Sequence, residues 1–297
     1  MKKAFYFIPV ILLAAACQQM EIVNPAAPAQ QESTSCFLTI HATKGTPETK
    51  ALDLVNDGAT LNAYWKDGET VKVYKSGTLL GALDVTPGEG SKPTTATLSG
   101  SITTAGLALN DELILIIPHE TWDYTGQNGL LTGENSIEQK YAYATASVNV
   151  TDINGSTVST TNASFTNAES MYRFGFKLGE DYIDPKSFTV SSAGNKLVQS
   201  MSWSGSAWTP AYGSLTITPA SAAGDHFYYV SIRNDQTTDD VYNFTITGSD
   251  DALYMASKAI PASVLDAPKF ISAKSITVTQ PSFAPASGEV DDPEEIF

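Results

Sequence analysis

Leu61 to Tyr74 reads LNAYWKDGETVKVY, and the fold class turns on these residues. Two runs of strand-forming residues, 61–65 and 70–74, flank Lys66 to Glu69, where Asp67-Gly68 supplies the positive φ that a tight turn demands. The spacing predicts a β-hairpin. Val71 and Val73, with Leu61, Ala63 and Trp65 in the other arm, alternate with polar neighbours, so one face is expected dry and the other wet. Trp65 is the expected core anchor, because an indole brings more buried area than any other side chain.

Working outward, the same alternation recurs on both sides. Strands are expected at 36–43, 78–85, 96–101, 112–118 and 141–151, the one at 112–118 apolar on both faces and therefore buried and central, with a turn at Pro87-Gly88-Glu89-Gly90. A second series follows at 171–178, 187–191, 197–203, 213–218, 226–232, 241–248, 253–258 and 270–279. In the first of these Tyr172, Phe174 and Phe176 share one face while Arg173 and Lys177 take the other. The stretch 260–267, IPASVLDA, fits either a single helical turn or a loop. Short strands at such spacing predict an all-β chain of two tandem β-sandwich domains, 36–165 and 166–280.

Composition agrees with that class. The 297 residues are long enough for two domains, and arginine occurs only as Arg173 and Arg233. The 32 Asp+Glu against 17 Lys+Arg leave a net charge of -15, which argues against nucleic acid or an anionic membrane surface as partner, since both would repel the chain.

The first residues, MKKAFYFIPVILLAAAC, place two lysines before an apolar run too short to span a bilayer, then small residues before Cys17. This reads as a signal peptide over 1–17. Ala14, Ala15 and Ala16 ahead of Cys17 resemble a bacterial lipobox, although leucine is usual where Ala14 stands. Acylation of Cys17 would tether the mature chain to a membrane without crossing it. Residues 18–35, rich in Gln, Ala, Pro and Ser, read as a flexible tether. Cys36 is then the one cysteine left in the mature chain, so no intramolecular disulfide is expected, and its place at the head of a strand-like run suits a small buried hydrophobe.

The order TKAL, a short acidic, Asn and Gly turn, then LNAYWKDGETVKVY resembles the fimbrillin-like proteins of Bacteroidales, the pilins and anchors of type V pili. FTNAESMYRFGFKL at 165–178 looks like the segment that opens the second domain in that family, and 253–279 looks like its closing pair of strands. Ala267-Pro268-Lys269-Phe270 departs from the family's more usual Gly-Lys-aromatic sequence. The resemblance implies an exported lipoprotein of the outer membrane, anchored through Cys17, from which a trypsin-like protease removes the N-terminal segment. The strand at 36–43 would leave, and a strand of an incoming pilin subunit would fill its place by main-chain pairing. The implied cut falls after Lys50 or, as second choice, Lys44; both are lysines where the family's cut often follows arginine. Residues 281–297, Pro- and Ser-containing and acidic, read either as disordered or as a donor segment.

Catalysis has little to stand on. His41, His119 and His226 lie far apart with no paired-ligand spacing, the carboxylates sit mostly in turns, and no phosphate loop or nucleophile elbow occurs. No enzyme, cofactor or metal is expected. The alternative to a pilin is an unpolymerised surface lipoprotein that stacks host or bacterial glycans on exposed aromatics: Trp122 in a loop reading HETWDYTGQNG, and Trp208 and Tyr212 in SWSGSAWTPAY.

Overall fold

The structure, a computed structural model, describes residues 35–44, 55–56, 61–104, 106–220, 224–266, 268–272 and 275–281. Cys17, Lys50 and 282–297 lie outside them. The first strand, β1 (Ser35–Lys44), alternates exposed and buried side chains along its whole length, with Cys36, Leu38, Ile40, Ala42 and Lys44 turned inward. Two short strands follow, β2 (Val55–Asn56) and β3 (Leu61–Asn62), then β4 (Thr70–Lys75), β5 (Thr78–Pro87), β6 (Thr95–Thr103) and β7 (Glu112–Ile117). Next come β8 (Thr121–Asp123), a π-helical turn at Ile137–Tyr141, β9 (Ala144–Asn154), β10 (Thr157–Thr160) and β11 (Ala163–Asn167).

Half of the expected hairpin is present. Gly68 takes a positive φ of 82° in its turn, β4 forms, and Trp65 is buried as the anchor. The other arm does not pair with β4. β3 pairs with β2 instead, and the Trp65 amide donates to the Pro93 carbonyl. β4 instead pairs with β7 on one edge and with β5 on the other, turning into β5 through Ser76-Gly77. Both of those residues have positive φ, which matches the right-handed strand twist.

The expected sandwich over 36–165 is corrected to a closed barrel. β6, β5, β4, β7 and β9 pair in that order, all antiparallel, and β9 pairs with both β10 and β11. β1 completes the ring. It lies antiparallel to β6 from Ser35↔Thr103 to Thr43↔Thr95, and parallel to β10 and then β11, ending at Lys44↔Phe165. A sandwich and a small barrel both alternate inward and outward with period two, so the pattern alone does not separate them; the neighbours of β1 do. Leu38, Val71, Val73, Leu83, Leu98, Leu113 and Leu115 fill the interior without measurable exposure.

The rest of the chain builds a second core. Its strands are β12 (Ser170–Phe174), β13 (Phe176–Leu178), β14 (Asp181–Ile183), β15 (Pro185–Ser192), β16 (Val198–Trp203) and β17 (Trp208–Tyr212). β18 (Leu215–Ile217), β19 (Tyr228–Ile232), β20 (Asp240–Gly248), β21 (Leu253–Ile260), β22 (Phe270–Ser272) and β23 (Ile276–Thr277) complete it. β12 runs between β19 and β22, β13 between β14 and β23, and facing them stands a four-stranded sheet in the order β18-β15-β20-β21. Edge-to-face rings join the layers, Phe174 on Phe244 at 5.1 Å and Phe176 on Phe188 at 5.0 Å. The open stretch 260–267 holds one helical turn, α1 (Ala262–Leu265).

One segment crosses over. β8, expected within the first domain, pairs with β16 of the second core in a three-stranded sheet β17-β16-β8.

Candidate functional site

β1 and its surroundings form the first candidate site. Four of its inward positions are apolar and ordinary for a barrel core. The fifth is Lys44, a cation with 3 % of its surface exposed. Its stem lies in the barrel and its head is met from three directions. Nζ donates to the Tyr64 carbonyl at 2.7 Å, pairs with Glu69 Oε2 at 3.1 Å and stands 4.1 Å above the Trp65 ring. Trp65 in turn packs edge-on against Phe165 of β11 at 5.3 Å. Burial pushes the Glu69 carboxyl above its ordinary range, and the charge of Lys44 works against that rise. The turn at Asp67-Gly68 is what brings Tyr64, Trp65 and Glu69 to one end of β1.

Lys44, one of two expected processing positions, is therefore the inner end of a strand held on both edges. A protease needs an extended, accessible chain, whereas the Lys44 side chain is buried and Thr43 before it is paired on both edges. Lys50, the other, and the lipidation candidate Cys17 lie outside the described residues. Cys36 is a buried free thiol whose Sγ lies 3.5 Å from the Gly155 carbonyl.

The aromatics expected to stack glycans are placed differently. Trp122 is buried, with 1 % of its surface exposed; its ring stacks on Tyr143 at 5.2 Å and meets Trp208 at 3.7 Å, and its Nε1 donates to the His119 carbonyl. Both faces are covered, so Trp122 offers nothing to a sugar ring, and the loop reading is corrected. Trp208 is half-buried between Trp122 and Trp203. Tyr212 is exposed, but Lys196 stands 4.6 Å over its ring and its hydroxyl reaches Asp235.

These aromatics join the barrel to the second core. The Tyr143 hydroxyl accepts from the Asp123 amide at 3.0 Å and donates to the Asp123 carbonyl at 2.9 Å, fixing the residue before β9 to β8. Glu169, between β11 and β12, accepts from the Tyr143 amide at 3.0 Å and the Tyr124 hydroxyl at 3.3 Å. Burial pushes its carboxyl up to about 8, so it is largely protonated at neutral pH. Gln127 ties the same region to β19, donating to the Ser231 carbonyl and accepting from its amide. This joint was not legible in the sequence, because its members are spread from Trp122 to Ser231.

A cleft of about 670 Å³ opens beside Glu169, Arg233 and Asp235, with its charges spent on one another: Arg233 pairs with Asp235 at 2.9 Å and donates to the Ala168 carbonyl. Among the described residues no three His, Cys, Asp or Glu side chains gather as a metal site, and no helix is long and apolar enough to cross a membrane.

No protein-family model matches the chain, and no curated protein matches it. Solved structures do. A candidate cell adhesion protein from Bacteroides fragilis aligns over 85 % of this chain and 100 % of its own, with 11 % identity and a TM-score of 0.44. A second, from Bacteroides ovatus, covers 82 % and 95 % at 11 % identity and 0.42. A fimbrial assembly protein from Parabacteroides distasonis covers 80 % and 90 % at 10 % identity and 0.34. All three scores lie below 0.5, so none of them fixes the fold or the activity of this chain.

Proposed function

We propose that this chain is a structural subunit of a cell-surface adhesive pilus, carried to the outer membrane as a lipoprotein through Cys17 and assembled by strand exchange. The observation that carries the reading is the position of β1. It is the N-terminal strand of the ring, and it alone bridges β6 to β10 and β11. A cut after Lys50 would detach it from the rest of the chain, and its departure would uncover apolar side chains that include Leu98, Ile102, Val158 and Phe165. A strand from an incoming subunit would then regain both sets of main-chain hydrogen bonds and fill the same inward positions. Burial of Lys44 favours Lys50 as the cut, since the former becomes accessible only after β1 has left. The two tandem β-domains, 36–165 and 166–280, would repeat along the fibre as one unit each, with the aromatic joint keeping them in line. The cover over Trp122 weighs in favour of the pilin reading over the glycan-binding one.

The test is digestion of the purified mature protein with a lysine-specific protease, read by N-terminal sequencing, SDS gels and electron microscopy. A new N-terminus at Ala51, and SDS-resistant ladders or filaments once the cleaved protein is mixed with a cell-surface extract that supplies donor strands, are the expected results. Resistance at Lys50, or a cleaved product that stays monomeric in that mixture, would refute the assembly role. Loss of palmitate labelling in Cys17→Ala tests the anchor separately.

A further inference from the structure

Resting on the strand-exchange reading above, we infer that the strand filling the place of β1 in an assembled fibre carries a lysine or arginine where Lys44 now sits, and therefore is not supplied by residues 281–297 of a second copy. The end of the slot near Tyr64 is built for a cation. When β1 departs after a cut at Lys50, Lys44 goes with it, but Tyr64, Trp65 and Glu69 stay behind. What remains is a carbonyl oxygen, an indole face and a mostly buried carboxylate, all aimed at one point. Each is a recognition element for an ammonium or guanidinium group.

An apolar side chain in that position would leave Glu69 enclosed without its counter-charge, and an acidic one would add repulsion. The cation also sets register. Side chains in β1 face inward at every second residue, so a slip of one residue turns its whole apolar set outward, and a slip of two removes the cation from Glu69. The incoming strand is thus specified as four small or branched apolar residues at alternate positions, followed by a basic fifth. Residues 281–297, PSFAPASGEVDDPEEIF, contain Glu289, Asp291, Asp292, Glu294 and Glu295 and neither lysine nor arginine. On a chain of net charge -15, that stretch meets repulsion before it reaches Glu69. The partner is a different polypeptide with a basic donor strand.

The experiment offers labelled peptides to the full mature protein after cleavage at Lys50, and follows capture by fluorescence anisotropy under reducing conditions. The peptides are the native 35–44 sequence, its Lys44→Arg, Lys44→Met and Lys44→Glu variants, and 281–297. Native and Arg forms are expected to be captured alike, the Met form about thirtyfold more weakly or worse, and the Glu form and 281–297 not at all. Against protein carrying Glu69→Gln, the preference for Lys over Met is expected to shrink. Equal capture of the Met and native peptides, or capture of 281–297 as tight as the native, would overturn the inference and leave strand exchange standing. Capture of no peptide, the native one included, would bring down strand exchange and this inference together.

Discussion

Replacing Trp122 by alanine should unfasten the two cores from each other. The indole is almost wholly buried, and it carries the ring faces of Tyr143 and Trp208 on its two sides and a hydrogen bond from Nε1 to the His119 carbonyl. Truncating a buried tryptophan costs about 3–5 kcal/mol, made up of lost transfer energy and the cavity left behind. The upper half of that range applies here, because both neighbouring rings lose a partner worth about 1 kcal/mol each beyond area. For a unit of this size the expected fall in melting temperature is roughly 10 °C. Urea unfolding at constant slope gives the direct measure, with Trp122→Phe as the companion variant that keeps a ring in place and should lose less than half as much. A loss under about 1 kcal/mol for Trp122→Ala would show that the indole is not a packing element, and would return it to the surface role its loop sequence first suggested.

Three further outcomes are expected. Glu169 has a folded-state pKa of about 8 against 4.5 for the free group, so the folded state holds the proton more tightly; the stability this gives is complete below pH 4.5 and is lost as pH rises through 8. The urea midpoint should fall between pH 5 and 9 by the equivalent of on the order of 4 kcal/mol, and Glu169→Gln should flatten that slope; an unchanged slope would refute the assignment. Lys44→Met in the intact chain should cost about 3–5 kcal/mol by stranding Glu69, with part of the loss recovered in the double variant with Glu69→Gln, as read by denaturant titration; a single-variant cost near zero would remove the cation clamp from consideration. Gly205 and Gly90 both have positive φ, but a Cβ on Gly205 would run into the backbone of Gly77 whereas one on Gly90 meets open space. Gly205→Ala should therefore cost about 2–5 kcal/mol and Gly90→Ala about 1 kcal/mol, and equal thermal shifts would disprove the close approach of the two turns.

The sequence was informative wherever the signal was local. Alternation located β1, β4, β9 and most strands of the second core, an unbroken apolar run located β7, and the size of the indole picked out Trp65, because side-chain pattern and area belong to a single segment. Pairing was not legible. The hairpin at 61–74 failed in one arm because both edges of β4 are taken, one by β5 through the two-residue positive-φ turn at Ser76-Gly77 and the other by β7. Closure of the barrel was hidden for a related reason, since β1 meets β10 and β11 in parallel and far along the chain. Lys44 looked like a cleavage candidate in a polar segment. Nothing adjacent to it in sequence announced that Tyr64, Trp65 and Glu69 would enclose it. Trp122 was misplaced because a loop rich in polar residues resembles an exposed platform, while its covering rings come from Tyr143 and Trp208.

The ring closure also dictates an order of events in folding. Cys36 touches Gly155, 119 residues further on, and the partners of β1 on that side do not exist until β10 and β11 have been made. The antiparallel run from β4 through β7, with β5 and β6, needs only nearby segments and loses less chain entropy on forming. The antiparallel edge of β1 on β6 can form early, whereas its parallel edge waits for β10 and β11, so closure of the ring is the late step. Run in reverse, the same order lets β1 come away while β6, β5, β4, β7 and β9 stay paired with one another, so opening the barrel is a local event and not the collapse of the whole domain.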